Sequence, residues 1–170
     1  MDFNDYIRDI QNFPKEGIVF KDITPLLQDH TALKEAAEAL RELLGDHHID
    51  KVVGMESRGF FFGPMLAAKL NAGFVPVRKK GKLPAEKISQ SYNLEYGIDE
   101  LEIHKDSIKP GEKVLIHDDV LATGGTAKAV CTLIERLGGT IIACNFLIEL
   151  DFLKGREKLE GLEIKSLLHY

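Results

Sequence analysis

Two neighbouring carboxylates lie in the most distinctive stretch of the sequence. Asp118 and Asp119 follow an apolar run at residues 114–117 and precede a small, glycine-rich turn. The run predicts a short buried strand, and the apolar spacing from residue 126 to Leu137 predicts a helix. The turn thus joins the carboxyl end of a strand to a helix N-terminus, where unpaired backbone N–H groups attract anions. We interpret it as a phosphate cradle formed by Ala122, Thr123, Gly124, Gly125 and Thr126.

The two carboxylates restrict the kind of ligand that this cradle would accept. They would repel a phosphate placed against them, but they accept hydrogen bonds from a sugar diol or hold a metal that bridges to one. A ribose 5-phosphate has the required shape, with a phosphate at one end and hydroxyls a few ångströms away. Which of Asp118 and Asp119 faces the ribose stays open, because neighbouring strand residues point in opposite directions. A glycine turn alone is more often an ordinary βα turn, but the whole combination favours a binding site.

The run Asp-Asp-x-Leu-Ala-Thr-Gly-Gly-Thr at residues 118–126 resembles the phosphoribosyl-diphosphate (PRPP) signature of the type I phosphoribosyltransferases, in the form of their adenine branch. His117 departs from the family, which usually has an aliphatic residue there. The resemblance covers roughly residues 12–169. It implies an α/β fold with a central, mostly parallel sheet flanked by helices, a small hood and a flexible lid loop.

The resemblance also implies a reaction. The family's adenine branch transfers ribose 5-phosphate from PRPP to N9 of adenine, giving AMP and pyrophosphate in purine salvage. Mg²⁺ would be held mainly through PRPP rather than by a dedicated protein cage, and the chain would form a homodimer. Two alternatives stay open: transfer to another base, such as hypoxanthine, guanine or xanthine, and a PRPP-sensing regulator without enzymatic activity.

Composition excludes several other classes of protein. The sequence has 170 residues, of which 44% are hydrophobic and 29% charged, so we expect one globular domain over residues 1–170. A net charge of −5 argues against general nucleic-acid binding. No apolar run reaches about 18 residues, so no membrane span is predicted. Cys131 and Cys144 form no closely spaced motif, and we expect free buried thiols in a reducing cytoplasm.

A second strand–turn–helix unit resembles the first. Residues 51–55 predict a strand and residues 60–70 a helix, and the connection between them is Glu56-Ser57-Arg58-Gly59. A lone arginine in such a turn is usually solvated, but beside backbone donors at a helix start it would bind a diphosphate with two hydrogen bonds. The connection resembles the family's pyrophosphate loop, which makes Ser57 and Arg58 pyrophosphate ligands.

Positive charge is concentrated after the next predicted strand, at residues 74–77. Five cations fall within ten residues: Arg78, Lys79, Lys80, Lys82 and Lys87. We predict a flexible loop at residues 79–93, long enough to close as a lid over an anionic ligand and exclude water. The alternative is a solvated basic loop. The segment resembles the family's flexible catalytic loop, in which Arg78 and Lys82 would bind pyrophosphate, often across a dimer interface.

The adenine end of the predicted site comes from the resemblance alone. Residues 1–30 would form an N-terminal arm or hood, with a helix predicted at residues 2–11. Backbone groups of Val19 and Lys21 would bind the adenine edge, while Phe20 and Leu150 would cover its two faces.

A Tyr-x-Leu-Glu-Tyr run after the loop also resembles the adenine branch. By this resemblance Glu95 is the candidate proton-transfer group near purine N7, and Tyr96 would help to order the closed loop. From the pattern alone, residues 94–103 predict a pair of strands beside the lid.

The remaining segments are interpreted as scaffold. They are a helix at residues 31–44 capped by Thr31, a strand at residues 140–150, a helix at residues 152–159 and a strand at residues 164–168.

Overall fold

A computed structural model describes residues 1–93 and 97–170 of the chain. The chain divides into two compact units, residues 1–39 and residues 40–170. Within the described ranges, no helix is long and apolar enough to cross a bilayer.

A short antiparallel hairpin occupies much of the first unit. After a 3-10 helix at Phe3–Tyr6, β1 (Arg8–Gln11) pairs with β2 (Val19–Asp22). Opposite charges meet across the pair, since Arg8 Nη2 lies 2.5 Å from Asp22 Oδ2. The helix predicted for residues 2–11 is therefore wrong beyond the 3-10 helix, because cross-strand pairing stabilises an extended backbone there.

Two helices follow the hairpin, α1 (Thr24–Gln28) and α2 (His30–Glu42). The Asp29 carboxylate accepts hydrogen bonds from the backbone N–H groups of Thr31 at 2.9 Å and Ala32 at 2.8 Å. These are the bonds of a helix N-cap. The prediction that Thr31 caps the helix is wrong, because Asp29 does so.

The second unit is built on a seven-stranded sheet with two long helices. Its strands are β3 (Lys51–Met55), β4 (Gly73–Lys79), β5 (Lys87–Asn93), β6 (Ile98–His104), β7 (Lys113–Leu121), β8 (Thr140–Glu149) and β9 (Ile164–His169). Its helices are α3 (Gly59–Lys69) and α4 (Gly125–Arg136). The strand order is β5-β6-β4-β3-β7-β8-β9. Strands β4, β3, β7, β8 and β9 are parallel, and β6 is antiparallel to β4 and β5. The predicted α/β fold with a mostly parallel sheet is confirmed.

The helices bury their apolar residues on this sheet. Helix α3 packs against β3, β4 and β7, and α4 packs against β5, β7 and β8. The apolar face predicted for α4 is buried, and it includes Val130, Leu133 and Ile134. Cys131 of α4 and Cys144 of β8 are buried and free, as expected.

Two strands extend beyond their predicted bounds. Strand β7 continues to Leu121, and thus contains both aspartates, because its pairing with β8 extends to Leu121 opposite Glu149. Strand β5 occupies residues 87–93 of the predicted loop, because it pairs with β6 along its whole length. The predicted strand pair is therefore β5 with β6, and its first strand lies earlier than expected.

The helix predicted at residues 152–159 is also wrong in type. Two 3-10 helices occupy the segment, Asp151–Leu153 and Gly155–Leu159. Lys154 between them has a φ of +53°. A residue with this φ ends one helical turn and begins another, so no continuous α-helix forms.

His117 of β7 is buried in a polar contact between three segments. Its Nδ1 lies 2.7 Å from Asn145 Oδ1 and donates to it, since an amide oxygen only accepts. Asn145 Nδ2 in turn donates to the backbone oxygen of Leu40 at 3.1 Å. Burial lowers the pKa of His117 from 6.5 to about 4. The residue that departs from the family pattern is thus a neutral core histidine.

We expect His117 to make the stability of the protein depend on pH. Between pH 6.5 and about 4 the unfolded chain binds a proton at this residue and the folded chain does not. The free energy of unfolding should therefore fall as the pH is lowered through this window, by up to about 3 kcal/mol from this residue. In His117→Val the fall should be smaller, as measured by urea unfolding at each pH. His48→Gln, which removes an exposed histidine, is the control. An unchanged pH slope in His117→Val would contradict the expectation.

Candidate active site

The glycine-rich turn and one aspartate surround a single cavity at the carboxyl end of β7. The cavity has a volume of about 70 Å³, several times the roughly 10–15 Å³ that a cavity needs to hold one water molecule, so it has room for a small polar group. Its lining includes Asp118, every residue of the turn, and Met55 and Phe146. The structure therefore brings together the predicted phosphate cradle and an acid predicted to bind ribose.

The two aspartates have different surroundings. Asp118 is half-buried and borders the cavity, whereas the residue Asp119 is only 2% exposed. Asp118 Oδ1 accepts a hydrogen bond of 2.9 Å from the Asp119 backbone N–H. Asp119 Oδ2 forms an ion pair of 3.1 Å with Arg58 Nε. Asp118 is thus the acid placed to meet a ligand in the cavity, and Asp119 is the acid that orients Arg58.

Burial changes the acidity of both groups. It raises the pKa of Asp118 well above its ordinary value, and the neighbouring Asp119 carboxylate raises it further. Burial also raises the pKa of Asp119, although the Arg58 guanidinium opposes that change. Ionising both carboxylates together therefore costs more free energy than it would for two solvated aspartates, and the Arg58 guanidinium offsets part of that cost.

The connection after β3 lies beside β7. Arg58 immediately precedes the first turn of α3, and Ser57 is exposed next to it. A Cβ added at Gly59 would lie 2.9 Å from the His117 backbone oxygen and 3.1 Å from Asp118 Oδ1. Glycine at this position thus lets the start of α3 approach β7 closely enough for Arg58 to contact Asp119.

Glu56 is an organising residue to which the sequence reasoning gave no role. Its Oε2 accepts a hydrogen bond of 2.8 Å from the Lys79 backbone N–H. Its two carboxylate oxygens lie 3.3 Å and 3.4 Å from Nε and Nη2 of Arg78. Burial alone would raise the pKa of Glu56, but these contacts lower it. Glu56 fixes Arg78 beside the β3 connection, and its position directly after a strand was the available signal.

Lys82 lies in an exposed turn that is tied to the sheet. Its backbone oxygen accepts a hydrogen bond of 3.5 Å from Arg78 Nη1. The N–H of neighbouring Gly81 donates to Glu102 Oε2 at 3.0 Å, and Lys80 Nζ lies 2.7 Å from Glu100 Oε2. The first part of the predicted lid is therefore held against β6.

The second part of the predicted lid packs against α4. Arg136 Nη1 donates to the Ser89 backbone oxygen at 2.6 Å, and the Tyr92 hydroxyl donates to Asp99 Oδ2 at 3.2 Å. Tyr92 also lies close to the start of α4, since its Cδ2 would be 3.8 Å from a Cβ on Gly125. The prediction of an irregular loop at residues 79–93 is wrong for β5.

The structure describes the predicted adenine ligands individually. In the first unit, Val19 is 40% exposed and the Phe20 ring meets Phe13 edge-on, with centroids 5.2 Å apart. In the second unit, half-buried Leu150 follows β8 and its N–H donates to the Leu121 backbone oxygen at 3.0 Å. Lys21 Nζ lies 2.7 Å from Asp9 Oδ1.

Two predicted residues, Glu95 and Tyr96, lie outside the described residues. Their roles stay predictions.

A group of potential metal ligands lies beyond the end of β8. Ligand atoms of Glu149, Asp151 and His169 fall within 4.8 Å of one another. However, Arg156 binds both oxygens of Glu149 at 2.5 Å and 2.8 Å, and the Ser166 hydroxyl donates to it as well. Because the buried acid of the group is already satisfied by an arginine, the group is arranged as an ion-pair network rather than as a metal site.

Comparisons with known proteins agree with this architecture. The sequence matches the phosphoribosyl transferase domain family over residues 22–164. Over the full length of both chains it is 62% identical to an adenine phosphoribosyltransferase of Flavobacterium johnsoniae.

Solved structures give the same result. The adenine phosphoribosyltransferase of Thermoanaerobacter pseudethanolicus superimposes with a TM-score of 0.97 at 51% identity, covering 99% of this chain and 98% of that one. The Saccharomyces cerevisiae enzyme, solved with adenine and an imino-altritol bisphosphate, has a TM-score of 0.93 at 44% identity, covering 98% and 96%. The chain belongs to the phosphoribosyltransferase family, in the branch whose named members are adenine phosphoribosyltransferases.

We expect Gly124→Ala to destabilise the protein more than an equivalent change in an open turn. Gly124 has a φ of +76°, and a Cβ there would lie 2.4 Å from the Gly155 backbone oxygen. Gly111 has a φ of +84° with nothing within 4 Å of its Cβ, so Gly111→Ala carries only the backbone cost. That cost is roughly 1–2 kcal/mol, and the clash should add about 1–3 kcal/mol. Urea unfolding of both variants measures the difference, and equal losses would contradict the contact with Gly155.

Proposed function

We propose that the protein transfers the ribose 5-phosphate group of PRPP to N9 of adenine, releasing AMP and pyrophosphate. The observation that carries this proposal is that Asp118 and the turn at residues 122–126 border one cavity, while Arg58 pairs with the adjacent Asp119. The names of the relatives support adenine as the base.

The turn at residues 122–126 would hold the 5-phosphate. Its last residues, Gly125 and Thr126, form the start of α4, whose N-terminus favours an anion. Thr123 and Thr126 add hydroxyl donors, and Asp118 would accept hydrogen bonds from the ribose hydroxyls. Holding the phosphate and the hydroxyls together fixes C1 of the ribose for attack by the base.

Three cations and a hydroxyl would hold the departing pyrophosphate. C1 gains positive charge as pyrophosphate leaves, and Arg58, Arg78 and Lys82 would stabilise the negative charge on the leaving group. Ser57 is exposed beside Arg58, and its hydroxyl would donate a hydrogen bond to a pyrophosphate oxygen. Both arginines are already oriented by carboxylates, Arg58 by Asp119 and Arg78 by Glu56.

The proposed adenine ligands are Val19, Phe20, Lys21 and Leu150. Backbone groups of Val19 and Lys21 would bind the adenine edge, and the Phe20 ring and Leu150 side chain would cover its faces. Val19 and Lys21 belong to β2, which pairs with β1 in a two-stranded antiparallel sheet.

The donors beside the cavity suit Mg²⁺. This ion prefers oxygen ligands and is usually held by one or two carboxylates together with substrate phosphates. Asp118 borders the cavity and would hold a PRPP-bound ion directly or through water, with Asp119 next to it. When bound, the ion would neutralise phosphate charge and make pyrophosphate a better leaving group.

The choice of base is tested by measuring pyrophosphate release from PRPP with a panel of bases. We expect release with adenine and little with hypoxanthine, guanine or xanthine, because backbone groups of Val19 and Lys21 would form hydrogen bonds with the adenine edge. Omitting the base should abolish release, since closure of the site would keep water from C1. Equal rates with another purine would refute the specificity, and binding of PRPP without any release would indicate a sensor instead of an enzyme.

Glu95 would manage the purine proton as N9 attacks. Glu95→Gln removes the carboxylate while keeping the size of the side chain, so turnover should fall by roughly 10²-fold, the scale of a lost acid–base group. The KM for PRPP should change little. Glu86→Gln removes an exposed acid of the lid and serves as the control in steady-state assays. Unchanged turnover in Glu95→Gln would rule out this role.

The outward face of α3 supports a homodimer. This helix is apolar on more than its buried side: Phe61, Pro64 and Ala68 are exposed, and Phe61 keeps 44% of its surface. A helix that is apolar all round is usually buried, and a second copy of the chain would cover the exposed part.

We expect Phe61→Glu to convert the dimer to a monomer, because it places a charge on the proposed apolar interface. Light scattering after size exclusion measures the mass directly. Phe152→Glu changes another exposed phenylalanine, 71% accessible, that lies outside α3, and it should leave the mass unchanged. A monomeric unmodified protein, or a dimeric Phe61→Glu variant, would contradict the interface.

The state of the cysteines supports residence in a reducing compartment such as the cytoplasm. Cys131 and Cys144 are both buried and free, as is usual where thiols are kept reduced.

A further inference from the structure

A glycine outside the predicted site contacts the backbone of the phosphate turn. Gly155 starts the second 3-10 helix of the 151–159 segment and is buried. A Cβ added to it would lie 2.3 Å from the Ala122 backbone oxygen, and a Cβ on Gly124 would lie 2.4 Å from the Gly155 backbone oxygen. The two backbones touch at two positions, and no side chain fits between them.

An ion pair between Arg156 and a buried carboxylate fixes the segment that carries Gly155. Arg156 Nε and Nη2 bind the two carboxylate oxygens of Glu149 at 2.5 Å and 2.8 Å, and Arg156 Nη1 donates to the Ile164 backbone oxygen at 3.3 Å. Ser166 Oγ donates to Glu149 Oε2 at 2.5 Å. The Glu149 side chain is only 4% exposed. One arginine thus connects the segment to the ends of β8 and β9.

The bonding pattern requires this arginine in particular. Two parallel hydrogen bonds to one carboxylate need the planar guanidinium group, and a lysine forms only one such contact. Burial alone would raise the pKa of Glu149, but Arg156 and Ser166 lower it, so the acid is held as a carboxylate. Breaking the pair would leave a buried charge unpaired, and the segment would have to move to restore its solvation.

We propose that Gly155 and the Glu149–Arg156 pair are positioning residues for the 5-phosphate turn. The pair holds Gly155 in place, and the Gly155 backbone supports the turn from the side of Ala122 and Gly124. None of the three residues touches the ligand in this proposal. Their effect is to keep the N–H groups of the turn directed into the cavity, and the inference rests on the proposed binding of a 5-phosphate there.

The role predicts a selective defect. In Gly155→Ala the new Cβ would displace the Ala122 carbonyl, and in Arg156→Lys the support would loosen without loss of charge. We expect the KM for PRPP and the dissociation constant of ribose 5-phosphate to rise by roughly tenfold to a hundredfold, the scale of a misplacement of about 1 Å. The KM for adenine should change little. Arg156→Lys should bind better than Arg156→Gln, because it keeps one of the charged contacts.

Two controls separate positioning from loss of stability. Glu157→Gln alters an exposed acid in the same 3-10 helix and should leave both KM values unchanged. Ile49→Val removes a methyl group from a buried residue of the same unit, so it should lower Tm without raising the KM for PRPP. Each variant is compared with these by thermal unfolding and by steady-state kinetics.

Calorimetric titration with ribose 5-phosphate gives a readout that needs no turnover. If the unmodified protein binds neither this ligand nor PRPP, the proposed function itself fails. If it binds them and Gly155→Ala and Arg156→Lys bind equally well, the positioning role is refuted while the function stands. A rise in both KM values that merely follows the loss of Tm would also refute it.

Discussion

The parallel pairing of β3 with β7 is the constraint on which the site depends. The register places Gly54 opposite His117, so both strands lead to the same edge of the sheet and the groups beyond them meet. Arg58 follows β3, Asp119 lies near the end of β7, and their charged atoms come within 3.1 Å. A slip of one residue would exchange the directions of Asp118 and Asp119. Asp118 would then point away from the cavity that it borders, and Asp119 would point away from Arg58.

Charge balance explains how two acids could lie beside a turn that, in the proposed function, binds a phosphate. Burial raises the pKa of Asp118 and Asp119, and Arg58 supplies the positive charge next to them. One strand further along, Glu56 and Arg78 repeat the arrangement. In the proposed reaction, carboxylates hold both arginines in fixed positions before pyrophosphate binds. Less side-chain freedom is then lost when a pyrophosphate group binds, so more of the binding energy remains for the transition state.

Short sequence patterns predicted the elements whose conformation is set by residues adjacent in the sequence. The apolar spacing of α4, the strands β3, β4, β8 and β9, and the glycine-rich turn before α4 all follow from short windows of sequence. Contacts distant in sequence decided what was missed. The hairpin β1–β2 depends on Arg8 meeting Asp22, and β5 depends on its pairing with β6. Periodicity in one segment carries no information about such partners.

The same distinction applies within the site. The acids of the signature were visible in the sequence because they adjoin the glycine turn. The residues that support the site were not visible in the sequence. Glu56 meets Arg78, and Gly155 meets Ala122, only after the chain has folded. In the sequence, Gly155 beside basic residues is typical of an ordinary turn. Only the folded structure shows that it contacts the Ala122 backbone.

Different physical constraints explain why glycine occupies each of the two positions, 124 and 125, in the turn. Gly124 is required by the protein itself, since its φ is +76° and the Gly155 backbone occupies the space of a side chain. Gly125 has no such requirement: the atoms nearest to a Cβ there lie at 3.6 Å or more, which is ordinary contact, and its φ is outside the left-handed region. Among the described residues, nothing in the fold forbids alanine at this position. A glycine that the fold does not need, at the first position of a helix beside a cavity, is explained if a ligand approaches the backbone closely there. A phosphate bound to the N–H groups at the start of α4 is such a ligand.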